Sequence, residues 1–530
     1  MTTPPDPREL LVEEDVRGVR VRCLAERPSS LVDLLQGALR EHAGRVLLVD
    51  PALGRTVTFE GFARLVEGAA ARLLREGLHP GDRVAVSVPN GLAAAVALWA
   101  CARAGLVHVG LPVGTPVPRA AALLALTGPR LLLTTEGLAD AAADAVVGAR
   151  LRDTPVRGAG QLLLADELPW DDGRPLPGED ETYCLIGTSG TSGAPKAVRV
   201  TGRMTGHAAE HYSRLLALTP ADRTAIHLPF AWVSGHVTQL APAMRSGGSA
   251  VTMPAFSAAA LAHVVGEYGV TWLDVVPSIW ELLLRDPTFG VPAFAAVQAA
   301  VFGGAPAPPG TLDRVREQLP GVALYDVYGL SETCAAVAVL SDSEAAGHPG
   351  TVGRAVAFAD LRVRGPGGEA SCTGTGELEV RSPTVTPGYW GDSEPPPLTD
   401  DGWLRTRDLA RIDGDGFVTI VGRAGDMVIR GGVNVHPAEV ELALLSVGSL
   451  ADAAVVGVPS RVAGENLAAA VVALPEVTVD VPALQRAVRE QVGLHAVPRP
   501  IRVLESLPRN RNGKLDRPAV VELLLSHRQG

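Results

Sequence analysis

A run of glycine and small hydroxyl residues ends in a lysine between Gly187 and Lys196, with the sequence GTSGTSGAPK. Such residues let successive backbone N–H groups point inward around an anion, while the hydroxyls and the lysine add donors and positive charge. The run departs from the Walker pattern G-x-x-x-x-G-K-[ST], because Pro195 precedes the lysine and Ala197 follows it. A flexible Ser/Gly linker is the alternative, although linkers seldom connect a strand to a helix. We predict a triphosphate-binding loop with the candidate residues Thr188, Ser189, Gly190, Thr191, Ser192 and Lys196.

Lysine is nearly absent from the chain. Only Lys196 and Lys514 occur among its 47 basic residues, and all the others are arginines. Arginine serves as well as lysine on a solvated surface, so the imbalance indicates a compositional bias rather than a functional design. A lysine that survives such a bias marks a position where the flat guanidinium group of arginine would fit poorly.

Helical and strand patterns alternate on both sides of the phosphate loop. From Ser30 to about Leu151, and again from the loop to about Gly329, amphipathic helical patterns alternate with short apolar strands bounded by Gly or Pro. After about Thr351, short strands with frequent Gly turns predict a small β-barrel or antiparallel unit. We therefore predict an α/β fold, with two α/β sheets and the small barrel forming one large N-terminal domain.

The last part of the chain has a different texture. From about Asp426, two helical patterns are interspersed with three apolar strands, which predicts a small α+β domain. We divide the chain into an N-terminal domain of residues 1–424 and a C-terminal domain of residues 425–530.

Composition excludes several classes of protein. The 530 residues, 47% of them apolar, exceed what one core usually organises, and the net charge of −11 with scattered basic residues argues against nucleic acid or an anionic membrane as partner. Five widely spaced cysteines without a C-x-x-C pair are typical of reduced thiols. The N-terminus lacks a secretory h-region, and the most apolar run, Leu92 to Ala102, is about half the ~20 residues that a spanning helix needs. These features indicate a soluble cytoplasmic protein that acts on small molecules.

Six motifs then follow one another in a recognisable order. They are the phosphate loop, Gly303-Gly-Ala-Pro306, Tyr328-Gly-Leu-Ser-Glu332, Gly402-Trp-Leu-Arg-Thr-Arg-Asp408 with Gly422-Arg423, Gly431-Gly-Val-Asn-Val-His-Pro-Ala-Glu439, and Arg509-Asn-Arg-Asn-Gly-Lys514. In this order the chain resembles the adenylate-forming superfamily of acyl- and aryl-CoA synthetases, nonribosomal peptide synthetase adenylation domains and luciferases, and among them the stand-alone acid–CoA ligases. The resemblance extends from about Ser30 to Leu525. The two lysines occupy the lysine positions of the phosphate loop and of the last motif. If arginine served equally, random placement of two lysines among the 47 basic positions would give this pair about once in a thousand trials.

The resemblance implies a role for each nucleotide-binding position. Glu332 would bind Mg²⁺ on the ATP phosphates, as suits a hard carboxylate oxygen, and Asp408 with Arg423 would bind the two ribose hydroxyls. Asp326 would face the adenine amino group, with a salt-bridged surface carboxylate as the alternative. The remaining positions implied to surround the nucleotide are Gly303, Gly304, Ala305, Tyr328, Gly329 and Ser331.

Lys514 is the implied catalytic residue, together with Lys196 and Glu332. In carboxylate activation an acid oxygen attacks the α-phosphorus while pyrophosphate leaves, so two anions must approach and charge builds on equatorial oxygens. A compact ammonium on a flexible stem can lie between carboxylate and α-phosphate, where a flat guanidinium would not. An ordinary surface lysine in a Gly-Asn loop is the alternative that the compositional argument opposes.

The resemblance also implies an acid pocket and a domain movement. Trp232, Val233 and His236, in the segment PFAWVSGH, would line the pocket, although core packing would also explain them. The segment lacks the F-D-x-S pattern of amino-acid-activating domains, which favours an aryl or acyl acid. In the superfamily the C-terminal domain swings between two poses about a hinge that corresponds to Gly425, where Asp, Lys or Glu is usual.

One motif suggests a different chemistry. His207, Glu210 and His211 match H-x-x-E-H, which would place two imidazoles on one face of a helix around a zinc ion. A solvated helix after the phosphate loop is the alternative, and we favour it because no third ligand is evident.

Three hypotheses of function remain. The first is an ATP-dependent acid–thiol ligase that forms acyl-AMP and then a thioester with CoA or with the phosphopantetheine of a carrier protein. In the second, the nucleophile is nitrite, and the activated product diazotises an aryl amine. The third is a catalytically silent nucleotide-binding module, which the retention of Lys196, Glu332 and Lys514 opposes.

Overall fold

The computed structural model describes most of the chain. The described residues are 11–135, 143–144, 154–165, 177–189, 195–307, 310–391, 398–423, 428–430, 433–435, 437–460, 464–475, 477–509 and 515–526.

The elements alternate as the sequence predicts. The strands are β1 (Leu11–Val16), β2 (Val19–Leu24), β3 (Val46–Asp50), β4 (Arg55–Thr58), β5 (Arg83–Ser87), β6 (Val107–Gly110), β7 (Leu131–Thr134), β8 (Val156–Gly158), β9 (Thr182–Ser189), β10 (Pro195–Thr201), β11 (Arg223–Ile226), β12 (Ser249–Thr252), β13 (Trp272–Val275), β14 (Ala299–Gly303), β15 (Ala323–Gly329), β16 (Ala336–Leu340), β17 (Arg354–Ala355), β18 (Asp360–Arg364), β19 (Ala370–Ser371), β20 (Gly374–Arg381), β21 (Leu404–Ile412), β22 (Val418–Arg423), β23 (Val428–Arg430), β24 (Val433–Val435), β25 (Leu450–Ser460), β26 (Gly464–Ala473) and β27 (Ile501–Leu504). The α-helices are Leu31–His42, Phe59–Arg75, Leu92–Arg103, Val117–Thr127, Ala159–Leu163, Gly202–Leu215, Ala241–Arg245, Ala258–Tyr268, Pro277–Leu283, Val291–Phe294, Thr311–Gln318, Asp342–Ala345, Pro437–Leu445, Val481–Gln491 and Arg517–Leu525. A π-helix covers Ser234–Leu240, and a 3₁₀ turn covers Leu494–Ala496.

Two α/β sheets make up most of the N-terminal part. One has six strands in the order β10-β9-β6-β5-β7-β8, and the other has nine in the order β17-β16-β15-β14-β13-β11-β12-β3-β4. Their inner strands run parallel. At the edges, β10 of the first sheet and β4 and β16 of the second run antiparallel to the inner strands, and β17 pairs antiparallel with β16. Parallel strands present their carboxyl ends at one edge of a sheet, so the loops that carry the motifs converge there.

A shared apolar core joins the two sheets. The helix Leu92–Arg103 is buried from Leu92 to Ala102 with the exception of Ala93, and its Trp99 meets Phe62 edge to face at 5.8 Å between ring centroids. The most apolar run of the sequence is therefore a buried core helix, and it is too short to span a bilayer. No helix among the described residues is long and apolar enough to cross a membrane.

The predicted change of texture after Thr351 corresponds to an antiparallel sheet. Its five strands lie in the order β19-β18-β20-β21-β22. The carboxylate of Glu379, on β20, is completely buried and accepts hydrogen bonds at 2.6 Å from Arg362 and 2.5 Å from Arg364. A separate mixed sheet, β24-β23-β26-β25 with β27 beside β26, forms the α+β unit near the C-terminus.

An N-terminal hairpin that the sequence patterns did not predict precedes these domains. Strands β1 and β2 pair from Leu11↔Leu24 to Val16↔Val19. Glu14 accepts two hydrogen bonds from Arg27, at 2.9 and 2.8 Å, and one from Arg203 at 2.6 Å. The hairpin is therefore attached by ion pairs to the helix that follows the phosphate loop.

We expect Glu14→Gln to lower the melting temperature at pH 7 by roughly 3–5 °C, because two arginines lose a charged acceptor. Although partial burial raises the pKa of Glu14, hydrogen bonds from Arg27 and Arg203 lower it to about 2. The carboxylate thus stabilises the fold above the unfolded pKa of about 4.5, and this contribution disappears as the pH falls towards 2. Calorimetry should show that the difference between the two proteins shrinks over this range.

Glu13→Gln provides a matched control. Glu13 lies one residue away, but its side chain is 63% exposed and pairs with an equally exposed Arg20. Exposed pairs contribute little, so this variant should melt within about 1 °C of the wild type. Equal losses in the two variants would contradict the assigned role of Glu14.

Candidate active site

The carboxyl ends of β14 and β15 approach each other so closely that only glycine fits. Gly303 pairs with Val327 in the parallel ladder, and a Cβ atom on Gly303 would lie 2.3 Å from the Val327 carbonyl oxygen. Gly304 has φ = 80°, which L side chains rarely adopt, and Ala305 follows it. The turn exposes backbone at the sheet edge where the nucleotide is expected to bind.

Asp326 and Tyr328 alternate with Val327 and Gly329 along β15. Asp326 is opposite Phe302 in the ladder, and burial raises the pKa of its carboxyl group to about 7. Asp326 is therefore not the salt-bridged surface carboxylate that was the alternative in the sequence. A Cβ on Gly329 would lie 2.4 Å from the Ala335 carbonyl oxygen, so here too the chain requires glycine.

The register of β21 and β22 brings Asp408 opposite Arg423. Arg423 donates a hydrogen bond from Nε to Asp408 Oδ1 at 2.7 Å, and the hydroxyl of Tyr328 donates to Oδ2 at 2.5 Å. Asp408 is buried, and its backbone N–H donates to Thr406 Oγ1 at 3.0 Å. The carboxylate is therefore fixed between the antiparallel sheet and the end of β15.

Glu332 and Lys196 meet at a residue that the sequence did not single out, Tyr389. The Tyr389 hydroxyl donates to Glu332 Oε1 at 2.8 Å, and Lys196 Nζ lies 4.8 Å from the centroid of the Tyr389 ring. The segment that contains Tyr389 pairs with β10, since the N–H of the next residue, Trp390, donates to the Ala197 carbonyl at 2.8 Å. This pairing places the Tyr389 ring next to Lys196, the last residue of the phosphate loop.

The turn after β15 presents Glu332. Leu330 N–H donates to Thr333 Oγ1 at 2.9 Å, and Thr386 N–H donates to the Glu332 carbonyl at 2.7 Å. Ser331 is half-buried in the same turn. An aromatic residue after Pro-Gly in the sequence TPGYW was the available sign of Tyr389, but nothing local connects it to a motif 57 residues earlier.

Part of the phosphate loop belongs to the described structure. Thr188 and Ser189 lie at the end of β9, and Thr188 is opposite Lys196 across the β9–β10 hairpin. Other predicted site residues lie outside the described residues; they are Gly190, Thr191, Ser192, Gly425 and Lys514.

A cavity of about 400 Å³ opens at the carboxyl ends of the strands, between the two α/β sheets. Trp232 forms part of its wall, with Phe230, Phe256 and Ile279 among the other apolar lining residues. The polar lining residues include His108 and His227, and burial lowers the pKa of the two imidazoles to about 3 and about 4, respectively. Both rings are thus neutral at pH 7, and the cavity carries no charge from them.

Val233 and His236 are not among the residues that line this cavity. Val233 is half-buried and packs against the shared core, while His236 is fully buried. His236 Nδ1 lies 3.1 Å from the Phe230 carbonyl, and burial lowers the pKa of its imidazole to about 4. Of the three predicted pocket residues, only Trp232 therefore reaches this cavity.

The side chains of the H-x-x-E-H segment have other partners in the structure. The rings of His207 and His211 lie 5.5 and 5.4 Å from the ring of Phe358, and Glu210 accepts hydrogen bonds from Arg214 and, at 2.6 Å, from Arg245. Among the described residues no three metal-binding side chains cluster. The prediction of a solvated helix was wrong, because this helix is buried from Gly202 to Glu210. Its charged residues Arg203 and Glu210 form ion pairs with residues outside the helix.

We expect Tyr389→Phe to raise the KM for MgATP roughly 5- to 10-fold, because Glu332 loses one charge-assisted hydrogen bond while Lys196 keeps the aromatic ring. Steady-state pyrophosphate release at varied MgATP measures the change. Tyr325→Phe, on the strand β15 that leads to Glu332, is the control and should leave the KM unaltered. A wild-type KM for Tyr389→Phe would show that the hydroxyl does not position Glu332.

Comparison with known proteins finds two family regions and related enzymes. Residues 35–390 match the family described as AMP-binding enzyme, and residues 439–514 match the AMP-binding enzyme C-terminal domain. The chain is 32% identical to a feruloyl-CoA synthase from an Amycolatopsis species, over 87% of this chain and 93% of that protein. It is 30% identical to an indoleacetate–CoA ligase from Aromatoleum aromaticum, over 89% of this chain and 94% of the relative.

Solved structures show the same fold. The o-succinylbenzoate CoA synthetase from Bacillus subtilis, in complex with ATP and magnesium ion, superposes with a TM-score of 0.79 and 27% identity, over 92% of this chain and 98% of that one. Its complex with an acyl-adenylate intermediate superposes with a TM-score of 0.80. Because the two family regions are matched in order and residues 35–390 cover more than half of the chain, the chain belongs to the AMP-binding enzymes.

Proposed function

We propose that this enzyme uses MgATP to activate an aryl or acyl carboxylic acid and then transfers the acyl group to the thiol of CoA. The observation that carries the proposal is the fixed Asp408 carboxylate, held by Tyr328 and Arg423 beside the glycine turn of β14. A buried acceptor of this kind can receive both hydroxyls of a vicinal diol such as that of a ribose. The CoA ligases among the relatives support a carboxylic acid and CoA as the other substrates.

In the first step, a carboxylate oxygen of the acid bonds to the α-phosphorus of ATP, and the bond from that phosphorus to the bridging oxygen breaks. Acyl-AMP and pyrophosphate are the products. The chain's own contribution is positioning and charge. Lys196 would hold the leaving phosphates, and Lys514 would lie between the acid and the α-phosphate as charge develops on the equatorial oxygens.

Glu332 suits the magnesium ion that accompanies ATP. Its Oε1 already accepts a hydrogen bond from Tyr389, but a carboxylate has about four acceptor positions. The remaining positions are hard oxygen sites of the kind that Mg²⁺ takes from proteins. Glu332 would thus fix the metal, and with it the phosphates, at the end of β15.

In the second step, the thiol sulfur bonds to the acyl carbon, AMP leaves, and the thiol proton passes to solvent or to a nearby base. We propose that residues 425–530 move between the two steps as a domain and that residues 1–424 keep the adenylate. Gly425 would serve as the hinge, since glycine accepts the change in φ and ψ without steric cost. The mixed sheet from β23 to β27, with its own apolar clusters, supplies a body that can move as a unit.

The cavity beside Trp232 supports an apolar organic acid. Its wall is mostly apolar and its imidazoles are neutral, and none of its described lining residues carries a positive charge that would neutralise a second carboxylate. The missing F-D-x-S pattern agrees with the absence of an α-ammonium group in the substrate.

Pyrophosphate release with a panel of aryl, acyl and amino acids, each with and without CoA, and with nitrite in the presence of an aryl amine, tests the proposal. We expect release with at least one aryl or acyl acid, and a CoA thioester by mass spectrometry when CoA is present. Release that requires nitrite plus an aryl amine, and ignores carboxylic acids, would overturn it in favour of a diazotising enzyme. Absence of release with every acceptor would indicate a silent nucleotide-binding module.

A further inference from the structure

A buried carboxyl group on the central sheet has no role in the chemistry described so far. Asp274 lies on β13 between Leu273 and Val275, which are 0% and 1% exposed, yet Asp274 itself keeps 9% of its accessible surface. In the described part of the chain no basic side chain forms an ion pair with it. A carboxyl group in such a place requires hydrogen-bonding partners.

Its partner within the protein is Thr238. The hydroxyl of Thr238 lies within hydrogen-bonding distance of Asp274 Oδ2 and 3.1 Å from the carbonyl oxygen of Ser234. The single hydroxyl proton cannot serve both acceptors. A protonated Asp274 resolves the conflict, because its O–H donates to Thr238 while Thr238 donates to Ser234.

Burial raises the pKa of the Asp274 carboxyl group to about 7, in agreement with this arrangement. The other oxygen, Oδ1, then has acceptor capacity that Thr238 does not use. Thr238 likewise keeps 8% of its surface, while its neighbours Val237 and Gln239 are completely buried. Both residues therefore retain some accessible surface between completely buried neighbours, although neither lines the cavity beside Trp232.

The sheet register places this pair next to the proposed reaction site. Asp274 is opposite Val301 on β14, and Gly303 follows on the same face of that strand. Val276, two residues after Asp274 in extended backbone, lines the cavity and would lie 4.0 Å from a Cβ on Gly304. Asp274 therefore lies two residues before the cavity wall along β13, on the same side of the strand as Val276.

The element that carries Thr238 begins at the same wall. The π-helix Ser234–Leu240 starts two residues after Trp232. π-Helical turns are rare in proteins overall, and those that occur are often located at functional sites. The irregular turn sets the Thr238 hydroxyl against β13. Two independent elements, the π-helix and β13, thus bring polar groups together at this pair.

We propose that Asp274 and Thr238 determine acid specificity by binding a hydrogen-bond donor, a hydroxyl or an ammonium group, on the far end of the acid. The proposal rests on the proposed function, since it concerns the acid that is activated. A donor would occupy the free acceptor capacity of Asp274, and an acid without one would leave that group unsatisfied. Sites built in this way discriminate strongly against the analogue that lacks the polar group.

The test compares acids that differ in one donor. Pyrophosphate release is measured with 3-phenylpropanoate and with its ring-hydroxylated and ring-aminomethylated analogues at each ring position. We expect the wild type to prefer at least one donor-bearing acid over the parent by 10-fold or more in kcat/KM. The hydroxyl and aminomethyl arms distinguish a neutral donor from a cation.

Variants then assign the preference to the pair. Asp274→Leu should lower kcat/KM for the preferred acid at least 10-fold, with the parent acid and the KM for MgATP little changed. Thr238→Val should shift the preference in the same direction and remains informative if Asp274→Leu fails to fold. Thr224→Val is the matched control, because Thr224 is a fully buried threonine on the adjacent strand β11 and should leave the preference intact.

The outcomes separate this inference from the proposed function. Equal losses for all acids, or an unchanged preference, in both Asp274→Leu and Thr238→Val would overturn it and leave acid activation intact. No preference for a donor in the wild type would overturn it as well. Failure of the wild type to release pyrophosphate with any acid would overturn the proposed function and this inference together.

Discussion

Lys514→Ala is expected to lower the rate of acyl-AMP formation about 100- to 1,000-fold while ATP still binds. The lysine would act on charge that develops only in the transition state, so its loss falls on kcat rather than on the affinity for ATP. Single-turnover pyrophosphate release measures the first step, and fluorescence titration with ATP measures binding. An undiminished first-step rate would refute the assignment of Lys514.

Two further variants sharpen this test. Arg511→Ala removes a positive charge from the same loop and should leave the first step within a few-fold of the wild type. Lys514→Arg keeps the charge but replaces the compact ammonium with a planar group, and it should be nearly as inactive as the alanine variant. Near-normal activity of Lys514→Arg would contradict the inference that lysine is retained at this position because arginine cannot replace it.

Asp408→Ala is expected to raise the KM for MgATP about 100-fold with a much smaller effect on kcat. The ribose lies away from the reacting bonds, so its hydrogen bonds contribute equally to the ground state and the transition state. Two charge-assisted hydrogen bonds of about 1.5 kcal/mol each account for the factor. Steady-state kinetics at varied MgATP with a saturating acid provide the measurement.

The partners of Asp408 supply the control. Tyr328→Phe removes one of the two hydrogen bonds that hold the carboxylate, at 2.5 Å, and leaves the carboxylate itself in place. It should raise the KM only about 5-fold, as expected for one neutral donor. If Asp408→Ala lowers kcat and leaves KM unchanged, Asp408 acts on the chemical step and not on the ribose.

The buried H-x-x-E-H helix illustrates why a sequence pattern can mislead. Its arginine, histidine and glutamate residues read as a solvated face, because charged groups seldom enter a core without partners. The partners come from elsewhere in the chain, since Arg203 pairs with Glu14 and Glu179, and Glu210 with Arg245. The spacing of residues within the helix cannot predict ion pairs with residues that lie so far away in the sequence.

The chain alone determined the features that depend on neighbouring residues. The glycine and hydroxyl composition of the phosphate loop, the alternation of helices and strands, and the order of the motifs all follow from local chemistry. The scarcity of lysine likewise marks Lys196 and Lys514 as positions where arginine would fit poorly. These features suffice to indicate an ATP-using enzyme with an α/β core.

Only the tertiary structure decided which side chains meet. Tyr389 reaches Glu332 across 57 residues, Tyr328 reaches Asp408 across 80, and Thr238 reaches Asp274 across 36. Each pair depends on strand register and on the crossovers that bring distant strands together, and a change of one residue in register would turn every side chain to the opposite face. The sequence therefore specifies the reacting groups, whereas the folded sheets select their partners.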